Sequence, residues 1–477
     1  MASTKPTTEQ ITHDAAILKA YLDLLRADVD ANTTYVIKSV LNISALRLVE
    51  PTEVGQRMRT LTASASSVAE VPFGGGEFIA RPKSGLTDDG GYVIIPATGT
   101  LAWVRLRNGA VYIDDFGAKP DWSTDNAIPI KNALAFAKAQ KVTVFANSGT
   151  YLTSETIEVR KGVTGIVGAG RASTTFAKTT NNQLLVTGSN GNPDAHIDAF
   201  IAIIGDIYDM NDLTGSSDMS FLSLTGFTVR REGLTGHDNA VQYGIWSPKV
   251  NTSLLTDLRV ECGYFGFWGQ DVWSNVFTSC QFLGLGVGQY AGVYIDKLVG
   301  SVHALSGTSN VFNCVGVANY QLGFHINSNQ YTVLNSCTAD GIRPMSGTSE
   351  TFACPFFFIN PHGITMNSCG SEGVSGERLR IVMDEYAVYD CTVVVNGYQG
   401  QIVPENPLVS LPVFRIQGSG SKQLKVSLNG CNFKKDPSHT NQLNGFITGA
   451  NTFVGVHQCV ADTPFIVSGG ATVTIEN

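Results

Sequence analysis

What the chain is short of narrows the field first. It has no polybasic run: 32 Lys+Arg against 40 Asp+Glu leave a net charge of −8, which offers no electrostatic footprint for nucleic acid or an anionic membrane. It has no apolar stretch long enough to span a bilayer. Its start, MASTKPTTEQ, lacks the charged and apolar regions of a signal peptide, so the chain is expected to be made in a cytoplasm and to stay out of membranes. It has no CxxC pair and no even-numbered disulfide framework, and tetrahedral metal sites want clustered ligands, so neither a metal nor another cofactor is expected. Only 15% of the residues are charged, whereas glycine (50 residues), Val, Ile and Phe are plentiful, which describes short strands punctuated by turns: an all-β composition.

Within that composition one short string recurs. NSCGSEG at 367–373 follows NSCTADG at 335–341, and related strings place Cys280, Cys314, Cys337, Cys369, Cys391, Cys431 and Cys459 at intervals of 34, 23, 32, 22, 40 and 28 residues. Seven of the nine cysteines thus fall one per supersecondary unit. Between them run apolar pieces of four to six residues joined by tight turns, and a second element, GVYID (292–296), GFHIN (323–327) and FFFIN (356–360), keeps step with the cysteines. A quasi-one-dimensional stack of coils explains both patterns. In a right-handed parallel β-helix, equivalent inward positions form ladders along the axis at ~4.8 Å per rung. The cysteines are therefore expected to form a buried ladder, and Asp296, Asn327 and Asn360 a polar one at a turn.

Ahead of the repeats, Ile11, Ala15, Leu18, Leu22, Leu25 and Val29 have the a/d spacing of a heptad seam, and Thr7 with Gln10 supplies a capping box. The segment is either a short coiled coil or an amphipathic helix packed on its own domain. The expected organisation is a helical anchor over 1–45, a small β-rich connector over 46–108, a β-helix over 109–465 and a short end over 466–477. A helix over DNAIPIKNALAFAKAQ opens the third part, with Asp125 able to cap it and Pro129 tolerable in its first turn.

The segment VYIDDFGAKPD…DNAIPIKNALAFAKAQ…GTY…GVTGIVGAG resembles the entry to pectate-lyase-like β-helices, in which FGAxxD…D leads into a capping helix and the first coils. With GGGEF and DDGGYVI before it, residues 45–465 resemble a bacteriophage tailspike of the capsule or O-antigen depolymerase type. Pro120 stands where that family usually has glycine. The resemblance implies a homotrimer in the phage tail of the virion, a particle-proximal N-terminus and a groove that cleaves a bacterial surface polysaccharide. It also implies attachment through the short N-terminus, directly or via another tail protein, and trimer contacts supplied by the β-helix flanks.

Glycosidic hydrolysis needs two carboxyl groups across the scissile bond. Three residues after the ladder cysteines stand Leu283, Val317, Asp340, Glu372, Val394, Lys434 and Asp462. Only Asp340 and Glu372 put carboxyls on consecutive coils, so these two are the expected catalytic pair, with exposed turn residues as the alternative. Arg343 and His325 are candidates for substrate binding, as are the aromatics Trp268 and Trp273, which are equally suited to packing, and Tyr264 beside them. Glu385, with Asp384 and Asp390, supplies rival carboxylates. The polar insertion 186–220 and RREGLTGHDN at 230–239 add Asp206, Asp209, Arg230, Glu232 and His237 as groove candidates. The residues leave open three activities: an endo-hydrolase, a lyase acting beside a uronate carboxylate, and a tail fibre that only binds glycan.

Overall fold

The computed structural model describes residues 15–23, 37–65, 67, 73–106, 109–189, 194–209, 212, 214–232, 243–285, 289–297, 304–344, 352–401, 412–433, 445–460 and 465–476. Residues 15–23 are helical, with Ile17, Leu18, Tyr21 and Leu22 exposed. Ile11, Leu25, Val29 and the Thr7–Gln10 box lie outside the described residues. The chain divides into two compact units, one comprising Met1–Asp88 and Tyr92–Leu106, the other Asp89–Gly91 and Arg107–Asn477.

The first unit is a five-stranded sheet in the order Lys38–Val40, Arg57–Thr60, Gly76–Pro82, Leu101–Arg105, Val93–Ile94. It starts at Lys38, ahead of the expected 46, because Lys38–Val40 pairs in parallel with Met58–Thr60. Ile43 and Leu46 of a one-turn helix pack with Met58, Phe78 and Trp103, and the Trp103 indole donates to the Val49 carbonyl at 2.8 Å. The glycines of GGGEF are required by close approach. A Cβ on Gly75 would sit 2.5 Å from the Leu61 carbonyl oxygen, and the Arg105 guanidinium donates to the carbonyls of Gly74 (3.0 Å) and Gly75 (3.1 Å).

The second unit opens with the FGA turn. Buried Asp114 accepts from the Tyr151 hydroxyl at 2.8 Å and from the Asn147 amide. The helix runs Ala127–Gln140 with Pro129 in the first turn, as expected; its N-cap is Asn126 in place of the expected Asp125, whose carboxylate, one residue earlier, accepts from the Ala127 N–H (3.1 Å). Ala127, Ile130, Ala133, Leu134 and Ala137 form its buried stripe.

After it the chain winds into parallel coils with three principal faces. Residues 311–330 show one coil: Val311–Asn313 on the first face, Gly316–Ala318 on the second, Leu322–Asn327 on the third, then a strap, Asn329–Gln330. The third face is an eleven-stranded sheet from Ile157–Arg160 to Ile466–Ser468, every neighbour pair parallel and in chain order. Because Ile466–Ser468 and Thr472–Glu476 both pair with the preceding coil, the stack passes the expected end at 465. The parallel β-helix expected from the repeat is borne out.

Each letter of NSC has a separate task. The asparagine is a ladder amide: Nδ2 of Asn335 donates to Oδ1 of Asn313 (2.9 Å), Asn367 to Asn335 (2.9 Å), Asn396 to Asn367 (2.8 Å) and Asn429 to Asn396 (2.8 Å). The serine turns the corner in the left-handed region, at φ 54° for Ser279, 50° for Ser336 and 51° for Ser368. The cysteine then points inward, and Cys280, Cys337, Cys369 and Cys431 are sealed in the core, as is usual for a thiol used as a small hydrophobe.

Two of the seven expected ladder cysteines do not belong to it. In FNCVGV no serine follows the asparagine, so Cys314 itself takes the corner, at φ 51° and exposed, and Val315 fills the ladder position. In the next coil but two, Tyr398 follows the corner Gly397, while Cys391 is buried at the start of the strand Cys391–Asn396. The second polar ladder also differs. The Asn327 amide donates to Asp296 at 2.9 Å, but the position in register with Asn327 is Ile359; Asn360 sits one residue on, at φ 45°, and bonds Asp384 instead.

Removing a ladder amide strands the groups above and below it. Asn367→Ala is expected to cost about 1–3 kcal/mol, two hydrogen bonds' worth. Ser368→Gly, which relieves a positive φ, is expected to be neutral or stabilising. Denaturant melts of the two variants should therefore move in opposite senses or not at all for the glycine; equal losses would contradict the assigned roles.

Candidate functional site

On the second face side chains alternate in and out, so the tripeptide after each ladder residue carries outward positions at its first and third residues. In the coil of Glu372, Gly370 and Glu372 face out, and Ser371 is buried with its Oγ 2.5 Å from the Tyr398 hydroxyl. The outer third-residue column runs Arg230, Glu261, Leu283, Ala318, Asp340, Glu372, Gln401, each in register with the next. Asp340 and Glu372 are thus direct neighbours on adjacent rungs. Ala318 and Gln401 hold the levels at which Val317 and Val394 were expected, because the corner at Cys314 and the ladder residue Tyr398 shift those coils. Lys434 and Asp462 lie outside the described residues.

The first-residue column beside the pair is small: Gly316, Thr338, Gly370. With no side chain at two of those levels, the sheet surface next to the carboxyls is low. Asp340 is half-buried and Glu372 exposed. Burial raises the Asp340 pKa above its usual value; a hydrogen bond from the Glu372 backbone opposes the shift and the Glu372 charge reinforces it. The corner beyond the pair turns at Asn319 (φ 61°), Gly341 (φ 61°) and Gly373 (φ 65°). Arg343 follows, exposed, with its backbone N–H held by the Tyr320 carbonyl at 3.0 Å, which places it on the same edge of the face as Asp340.

The other candidates are dispersed. His325 does not project into solvent: it is buried between Tyr294 (4.6 Å between centroids) and Phe357 (4.9 Å), and burial lowers its pKa to about 3, so it is a neutral ring of an aromatic stack. Trp268 belongs to that stack, packed on Tyr243, Phe265 and Tyr294, and Tyr264 lies parallel to Tyr290 at 5.4 Å. Trp273 is exposed on a strap strand after the third face, beside a cleft it shares with Asp212, Asp218 and Lys249. Asp209 is buried nearby, its carbonyl accepting from Ser217, and Asp206 pairs with Lys138 at 3.3 Å. Glu385 occupies an exposed turn after Leu379–Met383, not a strand start, and so lies past the third face whereas Glu372 precedes it. Asp384 bonds Asn360, and Asp390 accepts from the Gln423 N–H at 2.9 Å. Arg230 shares the column of the carboxyl pair four rungs away and is paired to Glu232 at 2.9 Å; His237 lies outside the described residues.

One perturbed carboxyl had no signal in the repeat. Asp114 is pushed up to about 6 by burial, against hydrogen bonds from Tyr151 and Asn147, but it lies beneath the entry turn at 1% exposure, out of a substrate's reach. Among the described residues no group of three His, Cys, Asp or Glu is placed to hold a metal ion, and no helix is long and apolar enough to cross a membrane.

Comparison with known proteins agrees with this architecture. Residues 39–108 match the phage tail protein small four-stranded beta-sheet domain, and residues 110–281 match the rhamnogalacturonase A/epimerase, pectate lyase-like family. Among solved structures, the gp42 tailspike of Acinetobacter phage vb_AbaP_AS12 is 20% identical and superposes with a TM-score of 0.70 over 92% of this chain and 74% of that one. Tailspike protein 2 of Escherichia coli O157:H7 bacteriophage CAB120 is 15% identical, with a TM-score of 0.58 over 89% of this chain and 52% of that one. The enzymatically active domain of tailspike protein 4 from bacteriophage CBA120 is 14% identical, with a TM-score of 0.51 over 94% and 55%. The chain therefore spans about three quarters of the first and about half of the other two. The tailspike resemblance seen in the sequence is borne out.

The raised Asp340 makes a stability prediction with a definite sign. Its folded form holds the proton more tightly than the unfolded chain, so stability is lost as pH rises from 3.8 through the folded pKa, and the full cost is present above it. Asp340→Asn is expected to melt at or slightly above the wild-type temperature at neutral pH, with the difference vanishing as pH falls below 3.8, where both forms are neutral. A lower melting temperature at neutral pH would mean that the carboxylate is net stabilising.

Proposed function

We propose that this chain is a phage tailspike that binds a bacterial capsular or O-antigen polysaccharide and shortens it by endo-glycosidic hydrolysis at Asp340 and Glu372. The observation that carries the reading is the in-register pairing of two carboxyls beside a floor of glycine and threonine, with one of them raised in pKa. Asp340, half-buried and with its pKa raised above the usual value by burial, is the acid that protonates the leaving glycosidic oxygen. Glu372, exposed, attacks the anomeric carbon or activates water. Arg343, on the same edge, orients the polymer.

The match of residues 39–108 to a phage tail domain supports a virion location with attachment through the N-terminal unit, to the tail or to another tail protein. A homotrimer is what the tailspike resemblance implies, and the exposed apolar positions of helix 15–23 supply one surface for it.

Incubation with purified capsular and O-polysaccharides, following chain length, new reducing ends and unsaturated-uronate absorbance together, tests the reading. Loss of length with reducing ends and no absorbance is expected; absorbance would make the protein a lyase, and tight binding without shortening a glycan-binding fibre. Asp340→Asn and Glu372→Gln are each expected to lower kcat by at least 100-fold while glycan binding persists. Full activity in either variant removes that residue from the mechanism.

A further inference from the structure

Trp122 is the second exposed feature on the face that carries the carboxyl pair. It is 47% exposed and sits at φ 61°, a left-handed conformation cheap for glycine and unfavourable for a bulky side chain. Its place is built from both sides. The strand Asp121–Asp125 bulges between two register points, Asp121 with Thr150 and Asp125 with Leu152. The Asp121 carboxylate closes the bulge by accepting from the N–H groups of Ser123 (2.9 Å) and Thr124 (2.8 Å) and from the Thr124 hydroxyl (2.7 Å).

The bulge carries the indole across to Arg230, whose guanidinium carbon stands 4.4 Å from the ring centroid. That cation covers one face of the ring. Arg230 is held by Glu232 at 2.9 Å, and its Nε is sealed from solvent without a hydrogen-bond partner, so stacking on the indole sets its position. The Trp122 side chain remains about half exposed beside that contact.

From Arg230, which stands in register with Ala177, the column continues through Glu261, Leu283 and Ala318 to Asp340, four rungs or ~19 Å along the axis. A strained backbone that leaves an aromatic ring about half exposed costs stability without burying the ring in the core, which is the arrangement expected of a ligand platform. We propose that Trp122, backed by Arg230, is a second glycan subsite that stacks a pyranose ring of the same polysaccharide several sugars away from the bond being cut. The inference rests on the glycan reading above and deepens it: the substrate is a chain long enough to lie along the second face from Trp122 to Glu372.

The test is Trp122→Gly, made in an Asp340→Asn background so that binding is read without turnover, with Trp122→Phe alongside. The panel is the set of purified capsular and O-polysaccharides used in the cleavage assay, with affinity and melting temperature both measured. Expected are a tenfold or greater loss of affinity in the glycine variant, partial recovery in the phenylalanine variant, and a melting temperature equal to or above the parent's, since glycine relieves the positive φ. Unchanged affinity overturns the subsite, and so does a loss of affinity that comes only with a lowered melting temperature. The two readings fail separately. A glycan that the wild type shortens but that binds the glycine variant as tightly as the parent leaves the hydrolase and removes the subsite. A glycan that binds through Trp122 but is never shortened leaves the subsite and removes the hydrolase. A parent that binds no polysaccharide in the panel overturns both.

Discussion

Everything in the second unit depends on register between parallel rungs. When one strand lies directly above the next, a side chain's environment along the axis is decided by the equivalent residue one coil away. The asparagine ladder from Asn313 to Asn429 is the most visible product: each of the three inner amides donates to the one before and accepts from the one after, so none of these is satisfied unless its neighbours are in step. Insertions between faces alter how many residues a coil contains without altering which residues stack, which is why irregular cysteine intervals coexist with a regular fold.

The sequence exposed this order through the wrong member of the motif. Cysteine is a tolerated filler of the inward position, and Val315 and Tyr398 fill it equally well; the asparagine and the left-handed corner after it are what geometry demands. Aligning on cysteine therefore succeeded where Asn, corner and Cys were all present, at 335–337 and 367–369, and slipped by one where Cys314 had become the corner. The carboxyl pair was legible because those two coils keep the same count from corner to outer position. The placements of His325, Trp268 and Glu385 were not, because whether a strand residue faces an aromatic stack, a groove or a turn depends on where each coil bends, and nothing local to GFHIN or VMDEYAVYD encodes that.

Trp122 shows the complementary blindness. In the sequence it is one aromatic in a polar loop; its meaning comes from a dihedral angle and from an arginine 108 positions on (230 − 122) that only the stack brings beneath it. Asp114 warns in the other direction, since a strongly shifted carboxyl can be the buried anchor of a turn and take no part in chemistry.

The column from Arg230 to Asp340 makes the molecule a ruler with whole-number graduations. Distances between features on one face change only by the gain or loss of a coil, in steps of ~4.8 Å, whereas ordinary surface loops vary continuously. Duplication or deletion of a coil such as that of Leu283 or Ala318 would change the separation of the Trp122–Arg230 pair and the carboxyls by one rung while leaving both ends chemically intact. Such a scaffold can alter the spacing of two surface features in whole coils without rebuilding either of them.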